Sequence, residues 1–259
     1  MTLLSEPHLH KLQFYVTTPY QCGYLPNKLA QSLIATPHHL VDANVYSGLI
    51  QQGFRRSGKF AYRPHCGLCN ACIPTRVILA DFVPNRSQKR AFKQHNDLTV
   101  HIMPLGYHQD HFELYASYQA ARHAELELSE KDNALEKEVP AEKDNNAEAE
   151  QYRQFLCQSN VESLLVEFKD ADNQLKIVSV VDIVHDGVSA VYTFYDTSDI
   201  KSSFGTYSII WQTTWTKNLN LPYLYLGYWI AASEKMAYKQ AFKPQQKLID
   251  GEWVNSQPA

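Results

Sequence analysis

The C-terminal half of the chain has the most regular pattern of apolar and polar positions. Three apolar runs are separated there by short turn sequences such as His185-Asp186-Gly187, and short turns favour antiparallel neighbours. An amphipathic segment, an unbroken apolar run typical of a strand buried on both faces, and a second helical segment follow. The pattern predicts three strands, a helix, a strand and a helix over residues 161–168, 175–184, 188–195, 206–219, 223–230 and 233–242.

The N-terminal half contains shorter segments bounded by turn residues. Asn27 is predicted to cap a helix that ends near Ala35, and Ser87 is predicted to open a basic helix. Residues 45–53 form one more short element, and an amphipathic helix is predicted over residues 108–126 because apolar side chains recur there at helical spacing. Strands are predicted over residues 12–18, 77–82 and 99–104.

The order of meander, helix, central strand and helix is similar to that of the acetyltransferase-like acyl-transfer fold. The predicted fold class is α/β (α+β), with such a domain over residues 106–259 and a smaller N-terminal cysteine-containing domain over residues 1–105. In that fold the turn after the meander binds pyrophosphate, and residues 201–207 occupy this place with a single glycine. Residues 125–150 hold ten acids and three lysines, which predicts a mobile acidic insertion.

Composition narrows the class of protein. The 259 residues are 44% hydrophobic, enough for a sizeable core in one large or two small domains. The formal charge of −3 argues against a basic nucleic-acid coat protein. We find no signal-peptide pattern and no apolar run long enough to span a membrane. With an odd number of cysteines, five, we expect reduced thiols in the cytoplasm, and neither a membrane nor DNA as a partner.

Three of the five cysteines lie close together as Cys66, Cys69 and Cys72. Thiolates at this spacing converge on one metal ion in many proteins. The fourth ligand is missing locally, and Cys22 is the remote candidate for it. The sequence leaves zinc, an iron–sulfur cluster and three reduced thiols in a turn as alternatives, with Cys157 an ordinary buried cysteine.

The segment from Arg55 to Lys93 is strongly basic. It carries one acid, Asp81, against nine cations, which gives a local charge of +8 in a net-negative protein. We interpret this segment as an anion site for phosphates or a carboxylate, with a solvated basic face as the alternative. The nine cations are Arg55, Arg56, Lys59, Arg63, Arg76, Arg86, Lys89, Arg90 and Lys93.

Seven short motifs in one order resemble the aminoacyl-tRNA–protein transferases, specifically the bacterial aspartate/glutamate leucyltransferases, over residues 21–253. The eukaryotic arginyltransferases are their relatives. Those carry a second cysteine where Leu25 stands and adjacent cysteines where Ala71-Cys72 stands, so their iron–sulfur ligands do not carry over directly. The motifs are Cys22-Gly23-Tyr24-Leu25-Pro26, Gly53-Phe54-Arg55-Arg56-Ser57-Gly58, Tyr62-Arg63-Pro64 with the cysteines, Pro84-Asn85-Arg86-Ser87-Gln88, Ala190-Val191-Tyr192-Thr193-Phe194-Tyr195-Asp196, Tyr225-Leu226-Gly227-Tyr228-Trp229-Ile230 and Lys235-Met236-Ala237-Tyr238-Lys239.

The resemblance implies transfer of leucine from leucyl-tRNA to the α-amine of proteins that begin with Asp or Glu, which marks them for degradation in the N-degron pathway. It also implies an N-terminal domain for the protein substrate and no cofactor for the transfer itself. An aminoacyl ester is already activated, so the enzyme needs proximity, a proton acceptor and oxyanion donors.

Roles for individual residues follow from this chemistry. Asp196 is the candidate for orienting or deprotonating the amine, and Tyr192 and Tyr195 are candidates for binding the ester or the oxyanion. Their alternatives are a turn residue and packing tyrosines. Arginines suit an acidic N-terminus best, and we rank Arg76 before Arg55, Arg56 and Arg86. The candidates for the tRNA acceptor end are Ser202, Ser203, Gly205, Thr206, Lys235 and Lys239.

Three alternative functions remain open from sequence. An arginyl-tRNA–protein transferase would use the same acidic N-termini but would need a carboxylate in its donor pocket. A coenzyme A-dependent acetyltransferase would need more glycines in the anion turn. A zinc-stabilised RNA-binding protein without catalysis would explain the cysteines and the basic segment but not the C-terminal motifs.

Overall fold

The computed structural model describes residues 11–130, 145–199 and 201–256. Its strands are β1 Gln13–Val16, β2 Tyr20–Gln21, β3 Leu29–Ala30, β4 Ser32–Thr36, β5 Arg55–Ser57, β6 Phe60–Pro64, β7 Ile73–Ile78, β8 Thr99–Pro104, β9 Ser163–Lys169, β10 Leu175–Val184, β11 Gly187–Tyr195, β12 Tyr223–Trp229, β13 Gln245–Ile249 and β14 Glu252–Asn255. Its α-helices are α1 Ala43–Gln51, α2 Arg86–Gln94, α3 Gln109–Glu130, α4 Asn145–Leu156, α5 Phe204–Asn218 and α6 Glu234–Ala237.

One large sheet organises the described part of the chain. Its eight strands lie in the order β14-β13-β7-β12-β11-β10-β9-β8. The pair β11–β12 is parallel and the other neighbours are antiparallel. The residues of β12 alternate between faces that are both covered, which explains its unbroken apolar sequence. Strand β7 belongs to this sheet although it precedes residue 105, so the sheet takes strands from both halves of the chain.

Helices cover the two faces of the large sheet. Alternate residues of β9 and β10 point to opposite faces, with Val166 packing on the α5 side and Leu165 on the side of α3 and α4. Helix α5 contributes Tyr207 and Ile210 to the first of these cores. The smaller sheet has the order β1-β4-β6-β5, and it shares a third core with α1.

The central strands open where β11 and β12 stop pairing. The parallel register runs from Gly187 opposite Tyr223 to Ser189 opposite Tyr225 and then ends. Strand β12 has a bulge between Tyr225 and Gly227 on its other edge, where it pairs with β7. A bulge redirects a strand. The resulting gap between the two strands, called the strand split here, begins at Ala190 and Leu226.

The structure confirms most elements of the second half and changes several in the first. Strands β8 and β10 have the predicted bounds, and α2 and α5 lie within a few residues of theirs. The predicted helix over residues 27–35 is wrong: β3 and β4 occupy this segment, because it pairs with neighbours whose position the local sequence does not reveal.

Three further expectations change in detail. The strand predicted over residues 77–82 begins earlier, as β7 at Ile73. The last predicted helix shortens to α6 and a 3₁₀ turn, Tyr238–Ala241, and the hairpin of β13 and β14 was not predicted. Most of the predicted acidic insertion, residues 131–144, lies outside the described residues. Among the described helices, none is long and apolar enough to cross a membrane.

A buried ion pair joins the smaller sheet to the large one. Arg56 on β5 donates through Nε and Nη2 to the carboxylate of Asp182 on β10, with Nη2 at 2.7 Å from Oδ1. Its Nη1 donates to the carbonyls of Gly58 and Gln158, each at 3.0 Å. Ser163 donates a further hydrogen bond to Asp182 at 2.6 Å. Both charges are therefore paired and hydrogen-bonded, which a buried charge requires.

Candidate active site at the strand split

Arg55 spans the strand split. Its Nη2 donates hydrogen bonds to the carbonyls of Ala190 (2.7 Å) and Val191 (2.9 Å) on β11, where β12 no longer pairs. Its guanidinium passes over Gly227 on β12, where an added Cβ would lie 1.3 Å from Nη1. Gly227 also has a φ of +76°, which favours glycine. Strand β5 thus places a half-buried cation between the two central strands.

Tyrosines from three segments, the loop at residue 24, β11 and α3, lie near the strand split. The pKa of Tyr24 is raised overall by burial, and the positive charge of Arg55 opposes this rise. Tyr192 and Tyr195 on β11 are half-buried, and burial raises the pKa of each, so both hydroxyls stay protonated near neutral pH. Arg122 on α3 donates to the Tyr195 hydroxyl at 3.1 Å. The Tyr118 ring lies 5.0 Å from the ring of Tyr195.

A buried lysine, Lys239, lies close enough to Arg55 for the two charges to interact. Lys239 is 5% exposed, and its Nζ donates to the Tyr228 carbonyl at 2.6 Å. Burial and the charge of Arg55 lower the pKa of Lys239 to about 7. This position does not suit the predicted contact with tRNA phosphates, which needs an exposed ammonium. Lys235 is exposed on α6 and keeps that candidate role.

Asp196 has the surroundings of a turn residue. Its Oδ1 accepts from the Ser198 backbone, and its Oδ2 lies 3.0 Å from Nζ of Lys176, which also pairs with Asp170. Burial raises the pKa of Asp196, but the hydrogen bonds from Ser198 and Lys176 outweigh it, and the pKa is lowered overall. A carboxylate held in this way is a poor proton acceptor. The geometry therefore favours the alternative interpretation of Asp196 as a turn residue.

Substitution of Asp196 tests this directly. We expect Asp196→Asn to leave kcat/KM within ~3-fold of the wild type and to cost about 1 kcal/mol or less of stability at pH 7. Because the folded pKa is lowered, this contribution is present above the unfolded value, about 3.9, and is lost as the pH falls through the folded value. Urea unfolding of both proteins at pH 7 and pH 3 measures it. A loss of activity above 100-fold would restore Asp196 as the proton acceptor.

The other three arginine candidates lie away from the strand split or are fully paired. Arg56 is committed to the buried pair with Asp182. Arg76, ranked first from sequence, lies between the rings of Tyr223 (3.7 Å) and Trp253 (4.3 Å), at the end where β11 and β12 still pair. Arg86 is exposed at the start of α2. Arg76 and Arg56 therefore stabilise the fold, and Arg55 alone of the four lies in the split.

Arg76 is held by polar groups as well as by rings. Its Nε donates to Gln246 at 2.8 Å, and its Nη1 donates to Gln51 at 3.0 Å and to the Tyr225 hydroxyl at 2.9 Å. The Arg76 side chain is therefore held in place by cation–π contacts and by this hydrogen-bond network.

The predicted acceptor-end residues gather at the start of α5. Ser203 adopts a left-handed conformation there and makes no capping hydrogen bond with its side chain. Gly205 faces the ring of Tyr195, whose Cε1 would lie 3.4 Å from an added Cβ. Ser202 is buried and its carbonyl binds Nε2 of His95, whereas Thr206 is half-buried beside a cleft. The structure therefore places four of the six predicted residues together at the start of α5, and one of them, Gly205, contacts a tyrosine of the split.

The four N-terminal cysteines are neighbours in space. All are half-buried, and burial together with the neighbouring Cys66, Cys22 and Cys69 raises the pKa of Cys72 to about 11. Among the described residues, no three of their sulfurs all lie within 4.8 Å of one another, a spacing that the ligand atoms of Asp110, His111 and Glu167 do meet. The donor set suits zinc or an iron–sulfur cluster, and drawing the sulfurs together would need a local movement. Cys157 is half-buried and separate.

Several residues of the site were not singled out from sequence. Gly227 interrupts an apolar strand, and such a glycine indicates a bulge or a close backbone approach. Tyr24 lies in a motif that the resemblance already used, but nothing local assigns it to the site. Arg122 and Tyr118 share a face of the predicted amphipathic helix, and only the packing of α3 against β11 brings them to Tyr195.

Two family models together match most of the chain. The family described as "Arginine-tRNA-protein transferase, C terminus" matches residues 110–249, and its N-terminus counterpart matches residues 20–90. The chain is thus an enzyme with the two-part architecture of the aminoacyl-tRNA–protein transferases. The solved structure of L-PGS from Bacillus licheniformis aligns with 71% of this chain and 48% of its own, at 12% identity and a TM-score of 0.39.

Curated relatives match over nearly the whole chain. The aspartate/glutamate leucyltransferase of Methylobacillus flagellatus is 62% identical over 98% of this chain and 95% of its own. That of Polynucleobacter asymbioticus is 48% identical over 98% of both. That of Thiobacillus denitrificans is 47% identical over 96% of this chain and 97% of its own. The chain belongs to the aspartate/glutamate leucyltransferase family.

Proposed function

We propose that this protein transfers leucine from leucyl-tRNA to the α-amine of proteins that begin with Asp or Glu. The observation that carries the proposal is Arg55, a half-buried guanidinium in the strand split that forms no ion pair within the described part of the chain. A cation held there by two backbone carbonyls suits the carboxylate of an acidic N-terminal residue. The names of the relatives support the same substrates.

The charges around the split favour leucine over arginine as the transferred residue. Among the described residues, the ionisable groups that affect the pKa of Tyr24, Tyr192, Tyr195 and Lys239 are tyrosines, arginines and cysteines, and no carboxylate is among them. An arginyl side chain would need such a carboxylate, and it would be repelled by Arg55. An apolar donor side chain meets neither problem.

The proposed reaction is direct aminolysis. The neutral α-amine attacks the ester carbonyl of leucyl-tRNA, the new amide forms, and the bond to the 3′-terminal ribose oxygen breaks. The amine loses one proton, and the departing ribose oxygen gains one, so no net proton is consumed. We propose that the protonated hydroxyls of Tyr192 and Tyr195 donate to the oxyanion of the tetrahedral intermediate, for which Tyr192 exchanges its hydrogen bond to Gln119.

In the cell we propose a cytoplasmic role in protein degradation. Leucine on an acidic N-terminus creates a bulky apolar N-terminal residue, the signal that the N-degron pathway recognises. The reduced state of the cysteines in the described residues is in keeping with this compartment.

The test is a transfer assay with two donors and matched peptides. Purified protein is incubated with labelled leucyl-tRNA or arginyl-tRNA and with peptides that begin with Asp, Asn, Glu, Lys or Ala. We expect efficient transfer of leucine to the Asp and Glu peptides, only slow transfer to the Asn peptide, and none to the Lys and Ala peptides. Arginine on those peptides would overturn the donor assignment, and RNA binding without transfer from either donor would favour a non-catalytic RNA-binding protein.

Substitution of Arg55 tests whether its guanidinium binds the carboxylate of the acidic N-terminal residue. We expect Arg55→Lys to lower kcat/KM for an Asp peptide by ~30-fold, because lysine cannot make the forked contact, and to change an Asn peptide little. The matched control is Arg63→Lys on the neighbouring strand, an arginine that stacks on Phe54 and donates to the Gln52 carbonyl. Equal losses for Asp and Asn peptides would assign Arg55 a purely structural role.

We also propose that Cys22, Cys66, Cys69 and Cys72 together hold one zinc ion or one iron–sulfur cluster. Metal analysis and the absorption spectrum of anaerobically purified protein distinguish the two. Cys72→Ser should remove the metal and lower the melting temperature, whereas Cys157→Ser, a change of the same kind outside the group, should do neither. Metal-free wild-type protein with full activity would leave four reduced thiols as the correct interpretation.

A further inference from the structure

A polar cleft of about 330 Å³ lies between α2 and the start of α5. Two cations line it from opposite walls, Arg90 on α2 and Lys201 in the turn before α5, and no carboxylate belongs to its lining. The remaining polar side chains offer hydroxyl or amide groups: Ser87, Gln94, Ser203 and Thr206. Two opposed cations with hydroxyl donors between them form a suitable environment for an oxyanion such as a phosphate.

Buried contacts fix the two walls of the cleft. The ring of Phe92 on α2 stacks on Tyr207 of α5 at 5.4 Å between centroids. His95, at the end of α2, packs on Phe204 at 4.5 Å and hydrogen-bonds the carbonyl of Ser202. The cleft is therefore formed by packed helices, and its width is set without a ligand.

Helix α2 presents a basic surface beyond the cleft. Arg86, Lys89, Arg90 and Lys93 are exposed, and the helix contains no acid. Within the described part of the chain these cations form no ion pair, so their charge is not neutralised by the fold. A cationic helix of this kind attracts a polyanion.

The cleft adjoins the strand split. Gly205, in the first turn of α5, packs against the ring of Tyr195. The Tyr195 hydroxyl accepts from Arg122 at the split itself. A nucleic-acid end with its aminoacyl ester at the split would thus direct its last phosphates past the start of α5 and towards α2.

We propose that this cleft binds backbone phosphates near the 3′ end of the donor tRNA, with Arg90 and Lys201 as the phosphate ligands. The proposal rests on the proposed leucyl transfer and goes beyond it. It assigns α2, which precedes residue 105 and was expected to lie in the part that recognises the protein substrate, to the RNA substrate.

The experiment compares donors with and without phosphates. Arg90→Ala/Lys201→Ala should raise KM for leucyl-tRNA ~10-fold or more and leave kcat and the KM for the acidic peptide within twofold. With 3′-O-leucyladenosine, which has no phosphate, the double variant should match the wild type. Loss of two contacts should also lower the salt dependence of tRNA binding by about 0.7 per phosphate. Lys28→Ala/Lys217→Ala, which also removes two exposed cations but lies outside the cleft and away from α2, is the control.

Three results would overturn the proposal. These are an unchanged KM for leucyl-tRNA in the double variant, an equal loss in Lys28→Ala/Lys217→Ala, and an equal loss with 3′-O-leucyladenosine. Binding of deacylated tRNA, followed by fluorescence anisotropy, should weaken ~10-fold in the double variant and needs no transfer reaction. A wild type that binds tRNA through the cleft but transfers nothing would therefore refute the proposed function and retain this site.

Discussion

Gly227→Ala should reduce leucyl transfer by at least ~100-fold, the size of loss that a displacement of about 1 Å at a reacting centre produces. The added Cβ would lie 1.3 Å from Nη1 of Arg55, so the guanidinium must leave the strand split. The hydrogen bonds from Arg55 to Ala190 and Val191 would then be lost as well. The measurement is kcat/KM with leucyl-tRNA and an Asp peptide, alongside circular dichroism to confirm that the protein remains folded.

Gly251→Ala is the matched control for this substitution. Gly251 has a φ of +85°, close to the +76° of Gly227, but an added Cβ there meets nothing within 4 Å. Both variants therefore carry the same kind of backbone strain, about 1 kcal/mol, and only one of them displaces Arg55. Equal activity in the two variants would show that the position of Arg55 does not matter for transfer.

Asp182→Ala should lower the free energy of unfolding by about 3–5 kcal/mol, because it leaves the buried Arg56 guanidinium without a counter-charge. Asp182 is fully buried and Arg56 is 5% exposed, so water cannot replace the lost carboxylate without opening the interface between the two sheets. Denaturant unfolding at pH 7 measures the change. Much of the penalty arises from the unpaired charge, so Arg56→Met/Asp182→Leu should recover most of the lost stability.

An exposed ion pair provides the comparison. Glu150 and Arg153 pair on α4 at 3.8 Å with both side chains about half exposed. Glu150→Ala should cost about 0.5 kcal/mol or less, as is usual for pairs in water. If Asp182→Ala cost no more than Glu150→Ala, the Arg56–Asp182 pair would not be the link that holds the smaller sheet in place.

The sequence predicted the C-terminal half of the fold well, and physical reasons explain why the first half differed. Strands β10 and β11 are joined by a short turn, so their pairing is local, and their alternating pattern reveals both strands. Strand β4 pairs with β1 and with β6, which lies nearly thirty residues further along the chain. No local pattern specifies such partners. The local sequence of residues 27–35 therefore predicts a capped helix, although the segment forms strands.

The ranking of the arginines shows the same limit within the site. The sequence showed a basic segment and indicated that arginine is the residue type that suits an acidic N-terminus. It did not reveal that Arg76 lies between Tyr223 and Trp253, which come from β12 and β14, far along the chain. Nor did it reveal that Arg55 reaches the carbonyls of β11. Which arginine faces a substrate is decided by strand order.

By itself, the sequence determined the fold class, the family and the reaction type, because these depend on local patterns and on motifs whose order is preserved along the chain. The tertiary structure alone decided which side chains meet at the strand split. Arg55, Tyr24 and Gly227 come together only because β11 and β12 stop pairing there and β5 lies across the gap. Contacts between residues more than a hundred positions apart follow from sheet topology, and that topology is a property of the whole chain.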